Sequence, residues 1–317
     1  MTETSQQLAE QDRTRALTVV VAVLTYRRPD DLAAVLESLR TQVGSVDDEV
    51  SVLVVDNDPD AGARETVVGP HVRYVHEPRP GIAAARNRAL DEVGDADVLV
   101  FLDDDERPVE DWLAQLLATH RRKGACVVGP VVSRFEVEPD AWVRAGRFFD
   151  RRRLRTGTPV VVAATNNLLL DLPPVRASGV RFDEAFGLSG GSDTLFTRRL
   201  VAAGIPMVWC DEALVTDEVP AARATRTWVL HRASRSGNSA TRCDVALASG
   251  TAGRAAARAR GIALGSARVL AGGARALVGA LTRSPEHHAR GLRTVARGRG
   301  MVTGAFGRVV YDYARGT

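Results

Sequence analysis

Three aspartates and a glutamate directly follow an apolar run in the first half of the chain. Residues 98–102 are apolar, and Asp103, Asp104, Asp105 and Glu106 come next. Adjacent carboxylates repel one another, so a cation is expected to offset them, and Mg²⁺ and Mn²⁺ prefer such oxygen ligands. For an isolated acidic run, a solvated turn that caps the next helix is the competing interpretation.

A second stretch combines a glycine pair with a carboxylate. Gly190 and Gly191 precede Ser192 and Asp193, where the pattern predicts the start of a helix. Paired glycines let the backbone approach a ligand closely, and a carboxylate fixed beside them is well placed to remove a proton from a hydroxyl. The alternative is that Asp193 only caps the helix.

The elements that must position these residues follow an α/β pattern. Apolar runs at 17–24, 50–55, 72–75, 98–102 and 126–132 predict strands. Periodic apolar positions predict one helix capped by Asp30 or Asp31, one after Pro80-Gly81, and one over 108–122. This alternation indicates a largely parallel central sheet flanked by helices.

Polar residues stand where these predicted strands end. Thr25 and Tyr26 follow the first strand, Asp56 and Asn57 the second, and Asp103 the fourth. Open α/β sheets bind ligands at this edge, and carboxylates there suit ribose hydroxyls, base edges and a metal. The sequence lacks a glycine-rich dinucleotide loop after the first strand and a Gly-Lys-Ser/Thr phosphate loop, which disfavours dinucleotide oxidoreductases and phosphate-loop ATPases. A nucleotide whose diphosphate is held through a metal fits the pattern.

Two further segments carry polar residues that allow two interpretations each. The basic segment 144–155 includes Arg151, Arg152 and Arg153, and the default interpretation is a flexible, solvated loop. The alternative is a gate for a phosphorylated or lipid-linked substrate. Asn166 and Asn167 can bind sugar hydroxyls, although asparagine more often hydrogen-bonds a local turn.

Composition predicts a soluble globular protein in a reducing compartment. The 317 residues are 45% hydrophobic and 26% charged, as in ordinary globular domains. Three scattered cysteines fit neither a zinc site nor a disulfide framework. Residues 1–15 lack an apolar segment and are predicted to be a disordered lead-in, and no signal peptide is expected. No uninterrupted apolar run reaches roughly 18 residues, the length of a membrane span.

The C-terminal part of the chain is basic. Residues 251–317 contain 12 arginines and two acids, which gives them a net charge of +10. Because the whole chain carries +3, the first 250 residues carry −7. Arg254, Arg258, Arg268 and Arg275 share one side of a predicted helix, and most of its larger aliphatic residues share the other. This favours a helix lying on an anionic membrane surface, and the alternative is a helical hairpin packed on the catalytic domain with its arginines outward.

Breaks are expected within this tail at Gly272-Gly273 and at Pro285. Binding of nucleic acid is not expected, because the tail lacks interleaved aromatic residues and any recognisable nucleic-acid-binding pattern.

In order along residues 17–238, the chain resembles family 2 glycosyltransferases with the GT-A fold, most closely bacterial enzymes that build exopolysaccharide or other surface glycans. The matching motifs are Leu24-Thr25-Tyr26-Arg27-Arg28, Val54-Val55-Asp56-Asn57, Pro80-Gly81 through Arg86-Asn87, Phe101-Leu102-Asp103-Asp104-Asp105-Glu106, Gly190-Gly191-Ser192-Asp193, and Arg226-Thr227-Trp228 with Arg232 through Asn238. Each motif alone is weak, and their shared order makes the resemblance specific.

The resemblance implies roles for the matching positions. Donor-nucleotide contacts are expected from Thr25, Tyr26, Arg28, Asp56, Asn57, Arg86, Asp103, Asp104 and Arg235. Asp103 and Asp105 are expected to bind Mg²⁺ or Mn²⁺, chiefly through Asp105, and Asp193 to act as the general base. Contacts to the acceptor or sugar are expected from Asn166, Asn167, Gly190, Gly191 and Trp228.

Three further positions also bear on the resemblance. Ser192 replaces a glutamate that is common in the family, which puts the role of that glutamate in doubt here. Arg232 is a further candidate for the diphosphate, and His231 is either a metal ligand or a surface or packing residue.

The implied reaction is an inverting transfer of a sugar from a nucleotide-diphosphate-sugar to a hydroxyl of a glycan or lipid-linked acceptor. The expected layout is a lead-in at 1–15, a catalytic domain at 16–245 and a basic helical tail at 246–317. The expected location is the cytoplasmic face of the plasma membrane. The alternatives are a non-catalytic, basic-tailed protein that binds membrane or nucleic acid, and a two-carboxylate glycoside hydrolase.

Overall fold

The computed structural model describes residues 15–67 and 69–310, so almost all of the predicted lead-in lies outside the described residues. The strands are Thr18–Thr25 (β1), Glu49–Asp56 (β2), Val72–His76 (β3), Val98–Asp103 (β4), Glu106–Pro108 (β5), Cys126–Val128 (β6), Val131–Phe135 (β7), Asn167–Asp171 (β8), Met207–Trp209 (β9) and Val215–Val219 (β10). The helices are Pro29–Val43 (α1), Ile82–Glu92 (α2), Trp112–Lys123 (α3), Ala141–Gly146 (α4), Leu172–Ser178 (α5), Ser192–Ala202 (α6), Arg226–Leu247 (α7), Gly250–Leu281 (α8) and Pro285–Ala305 (α9).

Seven strands form the central sheet in the order β3-β2-β1-β4-β8-β6-β9. The first four are mutually parallel, which places the carboxyl ends of β1, β2 and β4 side by side: Thr25 pairs with Asp56, and Leu24 with Asp103. β8 runs antiparallel to both β4 and β6, and β6 and β9 are again parallel. The predicted α/β fold with a largely parallel sheet is therefore confirmed, with one reversed strand that the sequence did not reveal.

The central strands are buried because apolar side chains cover both faces of the sheet. Along β1, Val19, Val21 and Val23 belong to one hydrophobic layer, whereas Val20 and Ala22 belong to the other. Side chains alternate between the faces of a strand, so an unbroken apolar run is what a strand between two helical layers requires. Helices α1 and α3 cover the first face, and α2 covers the second.

Several predicted boundaries were wrong for local reasons. Neither Asp30 nor Asp31 caps α1, because the helix begins at Pro29, a residue suited to a first helical turn. The helix predicted over 108–122 begins at Trp112 instead, since Glu106–Pro108 pairs with β10 as a short strand. The single strand predicted over 126–132 is two strands in different sheets; the second sheet has the order β5-β10-β7.

By its internal contacts the chain divides into two compact units. The first comprises Met1–Val132, Arg151–Phe182 and Phe196–Asp217, and the second comprises Ser133–Asp150, Asp183–Leu195 and Glu218–Thr317. The first unit contains the seven-stranded sheet, and the second contains helices α7, α8 and α9.

Within the second unit, α8 and α9 form a helical hairpin held by small residues. The buried positions of α8 are Gly261, Gly265, Gly272, Ala276 and Gly279. Their spacing places them on one helical face, where the absence of larger side chains lets the two backbones come close. A Cβ added at Gly272 would lie 2.8 Å from Gly291 O.

The expected break at Gly272-Gly273 is absent, because α8 is continuous from Gly250 to Leu281. Pro285 does begin a new helix, and Ser284 caps it by accepting a hydrogen bond from His287 N.

The opposite face of α8 is exposed and apolar. Leu270, Leu277 and Leu281 are 75%, 60% and 76% exposed. Among the described residues, α8 is the one helix long and apolar enough to cross a bilayer by length and composition alone, yet only 22% of its most apolar stretch is buried in the protein. The helical hairpin that one alternative predicted is thus present. Large leucines of α8 are nevertheless exposed on its surface.

The neighbouring glycines of α8 provide a direct test of this packing. We expect Gly272→Ala to lower the free energy of unfolding by about 1–3 kcal/mol, since the new methyl group meets backbone atoms of α9. Gly273→Ala is the matched control: nothing lies within 4 Å of its Cβ position, so helix propensity should stabilise it by about 0.5–1 kcal/mol. Thermal and urea unfolding of the full chain will measure both, and destabilisation by both variants would contradict the close approach.

Candidate active site

The acidic residues form a tight turn between β4 and β5 in the first unit. Asp103 ends β4, Asp104 and Asp105 form the turn, and Glu106 begins β5. Arg28, just before α1, donates through Nη1 to Asp104 Oδ1 at 3.1 Å and to Asp105 Oδ2 at 2.6 Å. One guanidinium therefore offsets two of the carboxylates.

The electrostatics of the turn reflect its crowding. Burial raises the pKa of Asp103 to about 7; Arg86 opposes the shift, and the neighbouring Asp105 and Asp104 add to it. Burial likewise raises the pKa of Asp104 to about 6, against the lowering influence of Arg28. Negative charge on this turn is thus energetically costly in the protein alone, and a bound cation would relieve the cost.

Thr25, predicted to contact the nucleotide, holds the turn in this structure, and the nucleotide contact stays a prediction. Its Oγ1 donates to Asp104 Oδ2 at 2.8 Å, and only 3% of the residue is exposed. The register of β1 beside β4 brings the two residues together. Asp104 is itself only 5% exposed, so both residues serve to fix the positions of Asp103 and Asp105.

Asp56 is fully buried and organises the loop that follows β2. Its Oδ1 accepts from Asp58 N, and its Oδ2 accepts from Ala63 N and from the Tyr74 hydroxyl, each at 2.9 Å. Its oxygens are therefore engaged within the fold, and a contact between Asp56 and the nucleotide stays a prediction.

Asn57 likewise ties together three segments of the first unit. Its Nδ2 donates to Glu77 O and Arg79 O, and its Oδ1 accepts from Gly81 N. Gly81 has a φ of +109°, a conformation that favours glycine, and it precedes α2. Asn57 therefore positions the turn that starts α2 rather than presenting its amide to a ligand.

Tyr26 and Arg86 are placed differently from each other. Tyr26 is 37% exposed just after β1, with the Arg27 guanidinium 5.4 Å from its ring centre, so part of the residue faces solvent. Arg86 is 8% exposed, and its guanidinium lies 5.5 Å from the centre of the Phe182 ring. Its positive charge opposes the rise in the pKa of Asp103, so Arg86 acts on the acidic turn electrostatically.

Asn166 and Asn167 also belong to the fold. Asn167 is 1% exposed; its Nδ2 donates to Pro130 O and Ala213 O, and its Oδ1 accepts from Trp112 Nε1. The amide of Asn167 is thus engaged within the fold, and a sugar contact by this residue stays a prediction. Asn166 donates to Glu106 Oε1 and holds that carboxyl group in place.

The predicted flexible basic loop is anchored. Arg151 pairs with Asp217, Arg153 pairs with Asp211, and the Arg152 guanidinium lies 5.5 Å from the Trp209 ring centre. All three arginines bind the region around β9 and β10 within the first unit, so the segment is not a loosely solvated loop.

In the second unit, the two glycines before α6 adopt backbone conformations that other residues rarely take. The φ angles are +75° at Gly190 and +96° at Gly191. A Cβ on Gly191 would also lie 3.0 Å from Ser239 Cβ on α7. The backbone at Gly191 therefore lies close to α7, and this contact fixes the path of the chain into α6.

Asp193 is partly exposed in the first turn of α6, which begins at Ser192. Its Oδ1 accepts from Thr194 N at 2.7 Å. Asp193 therefore lies within the first turn of the helix rather than capping it.

Aromatic and basic residues share the start of α7. Trp228 stacks on Phe149, with ring centres 5.9 Å apart and planes within 3°, and the Arg232 guanidinium lies over both rings. Arg235 lies about 4.0 Å from the Cβ position of Gly190. His231 is exposed, and among residues 15–67 and 69–310 no group of three His, Cys, Asp or Glu side chains is arranged to hold a metal.

Comparison with known proteins agrees with this geometry. The family model described as "Glycosyl transferase family 2" matches residues 20–172, which span β1 to the start of α5. The chain is also 37% identical over 228 residues to the succinoglycan biosynthesis protein ExoM of Rhizobium meliloti (strain 1021), covering 70% of this chain and 73% of that protein.

The chain belongs to glycosyl transferase family 2. It is also 31% identical over 216 residues to the galactofuranosyltransferase GlfT1 of Mycobacterium tuberculosis (strain ATCC 25618 / H37Rv), covering 62% of this chain and 68% of that protein. The resemblance noted in the motifs and the class of enzyme, a glycosyltransferase, are thereby confirmed.

A solved structure supports the fold. The crystal structure of GalNAc-T7 with UDP, GalNAc and Mn²⁺ superposes with a TM-score of 0.50 at 13% identity, covering 72% of this chain. The chain spans about half the length of that protein, 51%. The predicted GT-A-type fold with additional C-terminal helices is confirmed, and at this identity the likeness concerns the fold alone.

The acidic turn fits a hard divalent cation. Asp103 and Asp105 supply carboxylate oxygens, and the buried Oε2 of Glu106 has no hydrogen-bond partner among the described residues. Because three protein ligands are not assembled there, a cation would take part of its coordination from ligand oxygens, as Mg²⁺ commonly does with phosphates.

Two residues of this site were not assigned a role from the sequence. Arg27 adopts a φ of +55° and donates to Asp58, so it holds the β2 loop at the cost of a strained backbone. Glu106 is 1% exposed beside Asp103, and burial raises its pKa well above the usual value. The sequence signal for Glu106 was its position directly after Asp103, Asp104 and Asp105.

Arg28 is expected to stabilise the turn. Arg28→Ala should lower the free energy of unfolding by about 2 kcal/mol at pH 7, because it leaves the buried Asp104 carboxylate without its countercharge. Arg40→Ala is the control, since its pair with Glu37 is exposed and should contribute less than about 0.5 kcal/mol. Urea denaturation measures both, and equal effects would show that Arg28 is not a structural countercharge.

Proposed function

We propose that this family 2 enzyme is an inverting, metal-dependent glycosyltransferase that moves a sugar from a nucleotide-diphosphate-sugar to a hydroxyl of a glycan or lipid-linked acceptor in surface polysaccharide synthesis. The observation that carries the proposal is the acidic turn at the end of β4, where Asp103 and Asp105 are partly exposed, Thr25 holds the intervening Asp104, and Arg28 donates to Asp105. The names of the relatives, in succinoglycan biosynthesis and galactofuranosyl transfer, support the class of reaction.

Residues of the first unit would bind the donor. The exposed Tyr26 ring offers a surface for the base, and Arg28 offers a positive charge close to the site of the diphosphate. Asp103 and Asp105 would hold Mg²⁺ or Mn²⁺, which when bound neutralises charge on the leaving diphosphate. Thr25, Asp56, Asn57 and Arg86 would act as positioning residues through the contacts described above.

A residue of the second unit would carry the base. Asp193 would accept the proton of the acceptor hydroxyl as the hydroxyl oxygen attacks the anomeric carbon, and the bond from that carbon to the diphosphate breaks. A single displacement of this kind inverts the anomeric configuration and needs no carboxylate nucleophile. Trp228 and Arg235 are candidates for contacts to the acceptor or the donor phosphates.

A screen of nucleotide-sugars tests the proposal. The full chain is mixed with Mn²⁺ and UDP-, GDP- or dTDP-linked sugars, and thermal stabilisation and release of nucleoside diphosphate are measured. At 100 times the dissociation constant, a true donor stabilises the folded state by about 2.7 kcal/mol. A glycoside hydrolase would release free sugar from glycans without using a nucleotide-sugar, and a non-catalytic binding protein would release nothing from any donor.

We also propose that the protein lies peripherally on the cytoplasmic face of the plasma membrane. The exposed leucines of α8, together with arginines such as Arg275 and Arg283, match the apolar and cationic surfaces of interfacial helices. Flotation with anionic and neutral vesicles is the test. Leu270→Asp with Leu277→Asp should abolish binding to anionic vesicles, and unchanged flotation would rule out this face.

A further inference from the structure

A surface pocket of the second unit collects three arginines. It has a volume of about 230 Å³, and its lining consists of Phe186, Arg242, Val245, Ala246, Arg254, Arg258, Gly304 and Gly307. This volume is below the roughly 300 Å³ at which sites for drug-sized ligands begin, so the pocket suits a small charged group rather than a whole nucleotide-sugar.

The pocket exists because the two helices of the hairpin differ in length. Helix α8 has 32 residues and α9 has 21, and the last residue of α9, Ala305, reaches only as far back as Gly261. The first turns of α8 therefore extend beyond the cover of α9. Arg254 and Arg258 lie there, four residues apart and so on one helical face.

These two arginines lack protein countercharges. Neither Arg254 nor Arg258 forms an ion pair or a side-chain hydrogen bond among the described residues, and no acid occurs in the sequence between Asp244 and Glu286. The positive charge of Arg254 and Arg258, which no carboxylate offsets among the described residues, favours binding of an anion.

The third arginine links the pocket to the glycine turn before α6. Arg242 donates through Nη1 to Ser189 Oγ at 2.6 Å and through Nη2 to Ala185 O at 3.2 Å, and its guanidinium lies 4.4 Å from the Phe186 ring centre. Phe186 also contacts the Cβ position of Gly191, at 3.5 Å. The pocket therefore adjoins the turn that leads to Asp193.

The character of the walls narrows the class of ligand. The arginines offer planar, charged donors that suit phosphate oxygens, whereas Phe186, Val245 and Ala246 form an apolar side. A ligand with both features is a phosphate or diphosphate ester attached to an apolar chain.

We propose that this pocket binds the phosphate or diphosphate group of an amphiphile through Arg242, Arg254 and Arg258. Resting on the proposed function, the source is the diphosphate of a lipid-linked acceptor, held next to the turn that carries the base. The same chemistry occurs in phospholipid head groups, and the experiment separates the two sources.

The test is calorimetric titration of the full chain, without donor or metal, with farnesyl diphosphate and with dihexanoyl phosphatidylglycerol, both below their micellar concentrations. Arg254→Ala combined with Arg258→Ala should weaken binding about 10- to 100-fold, since each charge-assisted contact contributes roughly tenfold. The double variant should fold normally because both side chains are exposed and alanine favours helix. Arg260→Ala is the control: Arg260 is exposed on the same helix but does not line the pocket.

Selective loss of farnesyl diphosphate binding in the double variant supports an acceptor diphosphate as the ligand, and selective loss of phosphatidylglycerol binding supports a head group. The proposal is overturned if neither compound binds, if Arg260→Ala weakens binding equally, or if farnesol binds as tightly as farnesyl diphosphate. UDP binding with Mn²⁺, measured on the same variants, reports on the donor site separately, so failure of the pocket does not imply failure of the proposed transferase.

Discussion

Asp193→Asn is expected to reduce sugar transfer by about 10²–10⁴-fold, the range typical of a general base, while leaving the affinity for the donor nucleotide near that of the wild type. The amide is nearly the same size as the carboxylate and can still accept from Thr194 N, so the first turn of α6 should persist. Initial rates of nucleoside diphosphate release with the donor found by the screen, at several acceptor concentrations, measure the effect.

Glu184→Gln is the matched control for this substitution. Glu184 is an exposed acid in the same segment of the second unit, and removing its charge should leave the rate within about twofold of the wild type. If Asp193→Asn retains more than a tenth of the turnover, the base must be assigned elsewhere; if it also loses nucleotide affinity, Asp193 acts in binding or folding.

Asp105→Asn should remove the Mn²⁺-dependent part of donor binding and lower turnover by at least about 100-fold. In the proposed site, Asp103 and Asp105 would hold the cation, so replacing one of these carboxylates would weaken its binding. Neutralising charge on the leaving group is worth several kcal/mol in the transition state. Calorimetry of UDP and GDP with and without Mn²⁺ gives the first quantity, and steady-state rates give the second.

Glu110→Gln controls for a general change in charge near the turn, because Glu110 is exposed just after β5. Nucleotide binding by Asp105→Asn that still depends on Mn²⁺ would exclude Asp105 as a metal ligand. Asp103→Asn then shows whether two carboxylates or one bind the cation: it should weaken the metal dependence less, since the cation is proposed to bind chiefly through Asp105.

The sequence predicted the parallel half of the sheet because its strands are buried on both faces. Continuous apolar runs such as that of β1 have few alternative explanations when polar strand ends follow them. Strand direction is not encoded in such a run, so the antiparallel β8 could be recognised only from its pairing with β4 and β6. Short strands such as β5 depend on a partner distant in the chain, and local periodicity does not indicate them.

Residue types at the strand ends identified the location of the site better than the role of each side chain. Asp56 and Asn57 lie where the sequence placed them, yet their polar atoms bind the backbone of neighbouring loops. A carboxylate or amide at a strand end serves equally well to hold a loop or to bind a ligand, and only the surrounding backbone decides. The same limit applies to Asn167, whose burial depends on Trp112 and on carbonyl groups from two other segments.

The tail shows how the spacing of small residues can matter more than that of large ones. The apolar and basic sides of α8 were visible in the sequence, but the buried face is the one that carries glycine and alanine. Because glycine contributes little to hydrophobicity, the buried face has a weak periodic signal, and the stronger pattern of leucines marks the exposed face.

The reversed strand β8 also determines which parts of the chain can fold alone. The segment that matches the family, residues 20–172, ends just after β8 and includes β6 but not its parallel partner β9. A fragment ending there would expose the backbone edge of β6 and leave Arg151 without Asp217. The matched segment therefore lacks strands that complete both sheets: during synthesis, this part of the fold is completed only after roughly forty further residues have been added, when β9 and β10 emerge.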